Sequence, residues 1–240
     1  MNTIMTYLCT KSFIPGFIAL RNSISKNTSK DYIFSVVATE ELKPYENYIN
    51  KYCDNLIFIN KIFSQRVDGI QDRYKDNSWM MFSKLNIFNQ TKFEKILYID
   101  ADCIVLKDEL DEIFNNNEVS AVQDVGYGGL SAGVVLLRPS SKMFNEMIKK
   151  INLSSYDNTY SDQSFLNWYF PTYNKLDIKF NTLEKRIPIS DDTVIFHFNG
   201  QKPWLAKNEN GWAKEKNSAY YNWHKYFSIT EKLKFKIFCS

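Results

Sequence analysis

Residues 96–102 read Ile-Leu-Tyr-Ile-Asp-Ala-Asp, an apolar run that ends in two acids separated by one residue. A short run of Ile, Leu and Tyr predicts a strand buried in a sheet. Asp100 and Asp102 follow where this strand leaves the sheet, and ligands of open α/β sheets bind outside the carboxyl ends of the strands. Two carboxylates there suit a hard divalent cation, which can also hold a phosphate group. Because Asp-x-Asp alone has little specificity, its functional interpretation depends on the other residue clusters of the sequence.

Strand and helix signals alternate through the first half of the chain. Strands are predicted over 4–10, 32–38, 55–60 and the run before Asp100, and helices over 13–25, 42–52 and 78–89. This alternation indicates a mostly parallel sheet covered by helices on both faces. Right-handed crossovers would make it a Rossmann-like nucleotide-binding unit.

The second half is less regular and is rich in aromatic residues. Strands are predicted over 132–137 and 193–198, and helices over 140–151, with Ser140 as the N-cap, and 161–169. Aromatic walls suit a sugar or nucleotide pocket, but most of these rings are expected to pack in a core.

Composition limits the partners that the chain can have. Lys and Arg number 30 against 27 acids, which is too balanced to indicate a nucleic-acid partner. The length of 240 residues and the 44% hydrophobic share allow one large domain with a sizeable core, or two small ones. The four cysteines lie far apart without a Cys-x-x-Cys pair, so we expect free thiols in a reducing compartment.

The chain has no apolar run near the ~20 residues that a membrane span needs, and its first residues lack the features of a signal peptide. We therefore expect a cytoplasmic protein with no membrane span. The tail, residues 225–240, alternates Lys with Phe, Ile and Leu. This pattern predicts a helix with a solvated basic face; the alternatives are weak contact with a membrane surface or an edge of an acceptor site.

A second candidate cluster surrounds His197. The histidine ends the late strand, and Gly200, Lys202 and a rigid Pro-Trp pair follow it. It could be a packing residue, or it could present an imidazole to a metal while Lys202 presents an ammonium to phosphates. An imidazole beside two carboxylates shifts the expected metal from Mg²⁺ or Ca²⁺ toward Mn²⁺.

Two more clusters have a structural and a functional interpretation. Ser131-Ala132-Gly133 follows a glycine-rich stretch, and the glycine would allow either close approach of a ligand or a tight start to a strand. Asp162-Gln163 opens a predicted helix, where the acid could serve a site or favour the positive end of the helix dipole.

Together these blocks resemble the glycogenin-like glycosyltransferases of glycosyltransferase family 8, which have the GT-A fold. In chain order, the matching blocks are Thr6-Tyr-Leu-Cys-Thr10, Phe82-Ser-Lys84-Leu, Ile99-Asp-Ala-Asp102, Ser131-Ala-Gly133-Val, Asp162-Gln163 and His197-Phe-Asn-Gly-Gln-Lys-Pro-Trp204. The resemblance implies an α/β fold with a Rossmann-like, mostly parallel central sheet flanked by helices and a smaller acceptor-side region. It places a nucleotide-sugar half over 1–125 and an acceptor half over 126–204, with a C-terminal helical extension, 205–240, packed on the same domain.

The resemblance also implies a reaction. The chain would be a retaining, metal-dependent enzyme that moves a hexose, glucose first, from a UDP-sugar to a hydroxyl of a glycan or protein acceptor. Asp100, Asp102 and His197 would hold Mn²⁺, with Mg²⁺ as the alternative metal, and a homodimer is allowed. Two other function classes stay open: another metal-dependent nucleotide-sugar enzyme, such as a nucleotidyltransferase, and a non-catalytic glycan-binding module with a glycosyltransferase-like fold.

Roles for single residues follow from the same resemblance. The UDP-sugar would contact Leu8, Thr10, Arg73, Lys84, Asp100, Ala101, Asp102, Ser131, Ala132, Gly133, Gly200 and Lys202. Lys75 is the alternative to Arg73. Asp162, Gln163 and Lys84 would be the catalytic residues, and Asp124 would lie near the acceptor.

The mechanism has two open routes, and the chain departs from its family in places. Asp162 could be the nucleophile of a double displacement; in a front-face route, which we favour, it would position groups and stabilise charge. Ser131 stands where the family usually has Asn, so its contact with a sugar hydroxyl would be shorter or made through water. The stretch 174–192 offers no match for the tyrosine that glycogenin glucosylates on itself, so self-priming is not implied.

Overall fold

The computed structural model describes residues 1–66, 69, 78–153, 155–183, 189–205 and 219–239. Within them the strands are β1 Asn2–Leu8, β2 Phe34–Thr39, β3 Asn55–Ile59, β4 Lys95–Ile99, β5 Cys103–Val105, β6 Ser120–Gln123, β7 Leu130–Leu137, β8 Asn174–Leu176, β9 Thr182–Leu183 and β10 Ile195–His197. The α-helices are α1 Ile14–Asn27, α2 Glu46–Ile49, α3 Ser78–Phe82, α4 Leu110–Phe114, α5 Ser141–Lys150, α6 Asp162–Tyr169, α7 Ala219–Tyr226 and α8 Ile229–Cys239. Turns of 3-10 helix cover Lys11–Phe13, Glu40–Tyr45, Asn50–Tyr52, Ser83–Asn89 and Ile178–Phe180.

Seven strands form the central sheet in the order β3-β2-β1-β4-β7-β6-β8. β1 is parallel to β2 and β4, and β2 is parallel to β3. β7 runs antiparallel to β4 and β6, whereas β8 is parallel to β6. Only β7 therefore opposes the others in this sheet, which confirms the predicted mostly parallel architecture. The carboxyl ends of β1 and β4 consequently open at the same edge.

The sheet separates two apolar cores because side chains alternate along its strands. Ile4 and Leu8 of β1 lie in a core with Phe17 of α1. Met5, on the other face of β1, lies in a core with Phe165 of α6. This two-sided burial explains why the first strands appear in the sequence as nearly continuous apolar runs.

A smaller sheet of order β5-β10-β9 stands beyond the end of β4. β10 is antiparallel to β5 and parallel to β9, and its register places His197 opposite Cys103. Since Cys103 directly follows Asp102, this pairing brings the late histidine to the acidic turn.

The predicted helices differ from the observed ones mainly around one proline. The helix expected over 42–52 is a 3-10 turn, the short α2 and a second 3-10 turn, because Pro44 lacks the N–H that a regular helix needs. The helix expected over 78–89 is α3 followed by a 3-10 turn. The predicted N-cap is confirmed, since the Ser140 hydroxyl accepts from the Met143 backbone N–H of α5 at 3.3 Å.

The described part of the C-terminal region packs against α1. The Asn22 and Asn27 amides of α1 donate to the backbone carbonyl and the hydroxyl of Tyr226, at 2.8 and 2.7 Å. Trp223 of α7 is fully buried in the core that contains Phe17. In the ranges given above, none of the helices combines the length and the apolar character required to cross a bilayer.

Candidate functional site

The two acids lie in a tight turn between β4 and β5. The backbone N–H of Asp100 donates to the Gly133 carbonyl at 2.8 Å, and that of Cys103 donates to the Asp100 carbonyl at 3.1 Å. The Asp102 carbonyl accepts from the backbone N–H of Phe198 at 2.9 Å. Both sheets therefore fix the backbone of this turn, which limits how far the two carboxylates can move.

His197 meets both acids. Its Nε2 lies 3.3 Å from Asp102 Oδ1 and 3.8 Å from Asp100 Oδ2. Its Nδ1 lies 3.1 Å from Asn181 Oδ1. The three side chains predicted to share a cation therefore come together, although nearly a hundred residues separate the histidine from the acids.

Two lysines bring positive charge to the same place. Lys84 Nζ lies 2.6 Å from Asp162 Oδ2 and 3.8 Å from Asp100 Oδ1, and it donates to the Ala132 carbonyl at 3.2 Å. Lys202 Nζ pairs with the Asp102 carboxylate and donates to the Phe198 carbonyl at 2.7 Å.

These contacts shift the pKa values of the charged groups. Burial raises the pKa of Asp100, with the Lys84 ammonium acting against it. Burial alone would also raise the pKa of Asp102, but His197 and Lys202 outweigh it and hold that pKa below its ordinary value. Burial opposes the charge of Lys84, yet the neighbouring carboxylates of Asp100 and Asp162 raise its pKa above the ordinary value. Lys84 is therefore a cation at neutral pH, and the two acids differ in their affinity for a proton.

Two adjoining cavities meet at this cluster. The first, the β1 cavity, has a volume of about 370 Å³, and the second, the α6 cavity, of about 200 Å³. Both are lined by Met81, Lys84, Asp100, His197 and Asn199. Ala101, Asp102, Gly200 and Lys202 belong to the β1 cavity, whereas Asp124, Ser131, Ala132, Gly133, Asp162 and Gln163 belong to the α6 cavity. A bipartite ligand could thus lie in both while it crosses the acids and the histidine.

A polar network fixes the wall of the α6 cavity. Gln163 Nε2 donates to Asp124 Oδ2 at 3.1 Å, and Gln163 Oε1 accepts from the Ala132 backbone N–H at 3.2 Å. Asp124 Oδ1 accepts from the backbone N–H groups of Gly126 and Tyr127 at 2.8 and 3.1 Å. The amide of Gln163 therefore has a defined orientation, with its donor side toward Asp124.

The expectation for the first strand needs a correction. Leu8 is fully buried in the core that contains Phe17, and because strand side chains alternate, Tyr7 and Cys9 line the β1 cavity instead. Thr10 pairs its hydroxyl with that of Ser12 at 2.7 Å, while Phe13 reaches the cavity from the following turn. The predicted Arg73, like its alternative Lys75, falls outside the described residues.

Some residues of the site were not predicted from the sequence. Asn181 contacts His197, and the Tyr98 hydroxyl donates to Asp100 Oδ1. Tyr98 lies inside the apolar run and resembles an ordinary strand residue. Asn181 belongs to no motif, so only the pairing of β9 with β10 reveals that it is next to the histidine.

The donor set fits a divalent cation of intermediate hardness. Among the residues described, one ligand atom each from Asp102, Cys103 and His197 lies within 4.8 Å of the others, and the Asp100 carboxylate lies 3.8 Å from the same imidazole nitrogen that Asp102 contacts. Burial raises the pKa of the Cys103 thiol well above its ordinary value, so this sulfur is neutral. Two carboxylates and an imidazole are ligands that suit Mn²⁺.

Comparisons with known proteins show similarity to glycosyltransferases. The model of the family "Glycosyl transferase family 8" matches residues 4–127. The putative UDP-glucuronate:xylan alpha-glucuronosyltransferase 4 of Arabidopsis thaliana is 31% identical over 209 residues, which cover 82% of this chain and 35% of that protein. Glycogenin of Neurospora crassa is 26% identical over 212 residues, which cover 82% of this chain and 30% of that protein.

A solved structure supports the fold. The galactosyltransferase LgtC in complex with donor and acceptor sugar analogs superposes with a TM-score of 0.67 at 15% identity, covering 98% of this chain and 100% of that chain. This likeness confirms the fold expected from the sequence blocks. The chain spans about a third of the length of the two curated relatives.

Proposed function

We propose, on the premise that this chain belongs to glycosyltransferase family 8, that it transfers a hexose from a UDP-sugar to a hydroxyl of a glycan or protein acceptor. The observation that carries this proposal is that His197 Nε2 lies 3.8 Å from Asp100 Oδ2 and 3.3 Å from Asp102 Oδ1, at the junction of two cavities. A nucleotide-sugar has a diphosphate between its two larger parts, and this site offers cationic and metal-binding groups between two spaces.

The β1 cavity would take the uridine and the diphosphate. It is the larger of the two, Tyr7 and Phe13 provide aromatic surface there, and Gly200 and Lys202 are also part of its lining. Burial opposes the charge of Lys202, but Asp102 outweighs it and raises the pKa of the ammonium, which is therefore cationic at neutral pH. Lys202 would exchange part of its contact with Asp102 for a phosphate oxygen.

Asp100, Asp102 and His197 would hold the metal, with Mn²⁺ first and Mg²⁺ as the alternative. Mn²⁺ bound there would stabilise the negative charge that develops on the diphosphate leaving group. The chain's own residues would orient the donor: Lys84 at the boundary of the cavities, and Lys202 on the diphosphate side.

The α6 cavity would take the sugar, and its charge favours a neutral hexose. Its described lining places the carboxylates of Asp100, Asp124 and Asp162 against the single ammonium of Lys84. The carboxylate of a glucuronosyl group would meet net negative charge there, although the Arabidopsis relative is named for that donor. Glucose is therefore the first donor sugar to test.

We favour retention by a front-face route. The bond from the anomeric carbon to the diphosphate oxygen breaks, with the electron pair leaving on that oxygen. The acceptor oxygen attacks the anomeric carbon from the same face, and its proton moves to a diphosphate oxygen. Asp162 forms an ion pair with Lys84 at 2.6 Å, and Gln163 donates a hydrogen bond to Asp124 at 3.1 Å. Both Asp162 and Gln163 would therefore position the sugar and stabilise its developing positive charge.

The experiment measures UDP release from several UDP-sugars, with and without Mn²⁺. We expect UDP-glucose to be hydrolysed slowly without acceptor, with a rate that falls to background in EDTA and returns with Mn²⁺. Asp102→Asn should lower this rate at least about 10²-fold, because it removes one positioned charge at the leaving group. The matched control is Asp31→Asn, a substitution of an exposed aspartate.

Other outcomes would identify the other function classes. Formation of pyrophosphate from UTP and a sugar phosphate would indicate a nucleotidyltransferase. Binding of a glycan without any turnover would indicate a non-catalytic module. A wild-type protein that releases no UDP from any sugar nucleotide would contradict the proposal.

A further inference from the structure

Asn181 connects two parts of the site that the sequence places far apart. It follows the 3-10 turn Ile178–Phe180, immediately precedes β9, and is 1% exposed. Its Oδ1 lies 3.1 Å from His197 Nδ1, and its Nδ2 donates to Ser131 Oγ at 2.9 Å. One amide therefore contacts a candidate metal ligand and a residue of the α6 cavity.

We infer that Asn181 is a positioning residue that acts on the metal through His197 and on the donor sugar through Ser131. This inference rests on the proposed function. It adds a residue to the site and assigns a separate task to each end of its amide.

The first task concerns the tautomer of the histidine. A neutral imidazole has one N–H, and a metal ligand must present the other nitrogen as a lone pair. Asn181 Oδ1 can only accept, so it holds the proton on Nδ1 and leaves Nε2 toward Asp100 and Asp102. Partners of this kind orient metal-binding histidines, and their loss typically lowers metal affinity about 10–100-fold.

The second task concerns the serine at position 131. Ser131 is 3% exposed and lines the α6 cavity. Because its oxygen accepts from Asn181 Nδ2, its own proton points elsewhere and can be donated to a sugar hydroxyl. Asn181 thus fixes the orientation of a short side chain that would otherwise rotate.

The chemistry of the amide allows the two tasks to be separated. Asn181→Asp keeps an acceptor for His197 but removes the donor to Ser131. Asn181→Leu has a similar size and removes both. Ser131→Ala removes only the contact on the sugar side. The matched control is Asn27→Leu, since Asn27 also makes two side-chain hydrogen bonds, to the Val105 carbonyl and the Tyr226 hydroxyl, outside the two cavities.

The experiment measures the Kd for Mn²⁺ by calorimetry in the absence of donor, together with the KM for UDP-glucose and the Tm. We expect Asn181→Leu to weaken Mn²⁺ binding about 10–100-fold. Asn181→Asp and Ser131→Ala should retain the wild-type affinity for Mn²⁺ and raise the KM for UDP-glucose. Asn27→Leu should lower the Tm and leave the Kd for Mn²⁺ unchanged.

Several results would overturn the inference. Wild-type Kd and KM values in Asn181→Leu, with only a lower Tm, would make Asn181 a structural residue. Weakened Mn²⁺ binding in Ser131→Ala would show that the two tasks are not separate. If Asn181→Leu does not fold, Asn181→Asp still tests the inference, because loss of Mn²⁺ binding in that variant would contradict the role of Asn181 as the acceptor for His197. A wild-type protein that binds Mn²⁺ without releasing UDP would refute the proposed function alone, whereas one that binds neither Mn²⁺ nor Mg²⁺ would refute both.

Discussion

At Gly133 the backbone of β7 lies directly against His197 and Asp100. A Cβ at this position would lie 2.4 Å from His197 Cε1, 2.7 Å from its Nδ1 and 3.0 Å from Asp100 Oδ2. The small residue is therefore required by the closeness of the two side chains and not by an unusual backbone angle. We expect Gly133→Ala to push the imidazole away from the acids and to weaken Mn²⁺ binding at least about tenfold, measured by calorimetry.

Gly128 is a suitable control for Gly133. It has φ +88°, and no atom lies within 4 Å of the place a Cβ would occupy. Gly128→Ala should thus cost about 1 kcal/mol of backbone strain while Mn²⁺ binding stays unchanged. Equal Mn²⁺ affinities for Gly133→Ala and the wild type would contradict the metal assignment.

The Asp162 side chain decides between the two retaining routes. Its carboxylate lies 2.6 Å from Lys84 Nζ, which suits a group that stabilises charge. Asp162→Asn keeps the shape of the side chain, so we expect kcat to fall by no more than about 10²-fold if the residue only positions and stabilises. An obligatory nucleophile would cost about 10⁴-fold or more, and a glycosyl group attached to residue 162 in mass spectra would establish double displacement.

Cys9 offers a probe of the β1 cavity, because burial raises the pKa of its thiol to about 11. At pH 8 only about one thiol in a thousand is ionised, against roughly a quarter of free cysteines with a pKa near 8.5. We expect iodoacetamide to modify Cys9 about 200-fold more slowly than free cysteine at pH 8, with a rate that still rises near pH 10. Peptide mass spectrometry measures this rate, and fast modification at neutral pH would show that the cavity wall is more open than described.

At the scale of the element, α6 begins with an unusual backbone. Ser161, fully buried, has φ 54° and ψ −119°, a region that residues with a Cβ rarely adopt. Such strain costs about 1–3 kcal/mol and is concentrated at functional sites. Here it directly precedes Asp162, so the turn directs that carboxylate toward Lys84.

Ser161→Gly should relieve this strain. We expect a gain of about 1 kcal/mol, or a Tm higher by roughly 2–4 °C, measured by calorimetry. Ser161→Ala is the matched control: it keeps the Cβ and removes a buried hydroxyl that has no hydrogen-bond partner among the described residues. Any rise in its Tm measures the cost of that hydroxyl, and a further rise in Ser161→Gly measures the backbone strain. An equal rise in Tm for both variants would place the cost on the buried hydroxyl.

Elements with a clear apolar pattern could be predicted from the sequence, whereas most of the shortest ones could not. β1, β2, β4 and β7 are buried along nearly their whole length, and this leaves a strong signal. β10 lies within the strand predicted over 193–198, whereas β9 has only two residues, too few for a period to appear, and the pairing of the two strands depends on contacts distant in sequence. The acids and the histidine could therefore be predicted by resemblance, whereas Asn181 required the coordinates.

At the scale of the whole molecule, the site depends on contacts between distant segments. Trp204 follows Lys202 by two residues, and its ring lies so close to α1 that a Cβ on Gly16 would come within 2.5 Å of it. The Trp204 ring also lies 5.7 Å from the ring of the fully buried Trp223 in α7. Helix α7 thus supports the segment that carries Lys202 into the β1 cavity.

Trp223→Ala should consequently affect both stability and donor binding. Removing a buried Trp costs about 3–5 kcal/mol, which lowers the Tm by roughly 10 °C for a chain of this size. Because Trp204 loses its support, we also expect the KM for UDP-glucose to rise at 20 °C, where the variant remains folded. The Kd for Mn²⁺ should change little, since the backbone of the acidic turn is fixed by β7 and by Phe198. Trp223→Phe is the control that keeps an aromatic ring in the core. A lower Tm with an unchanged KM in Trp223→Ala would show that α7 stabilises the fold without supporting the donor site.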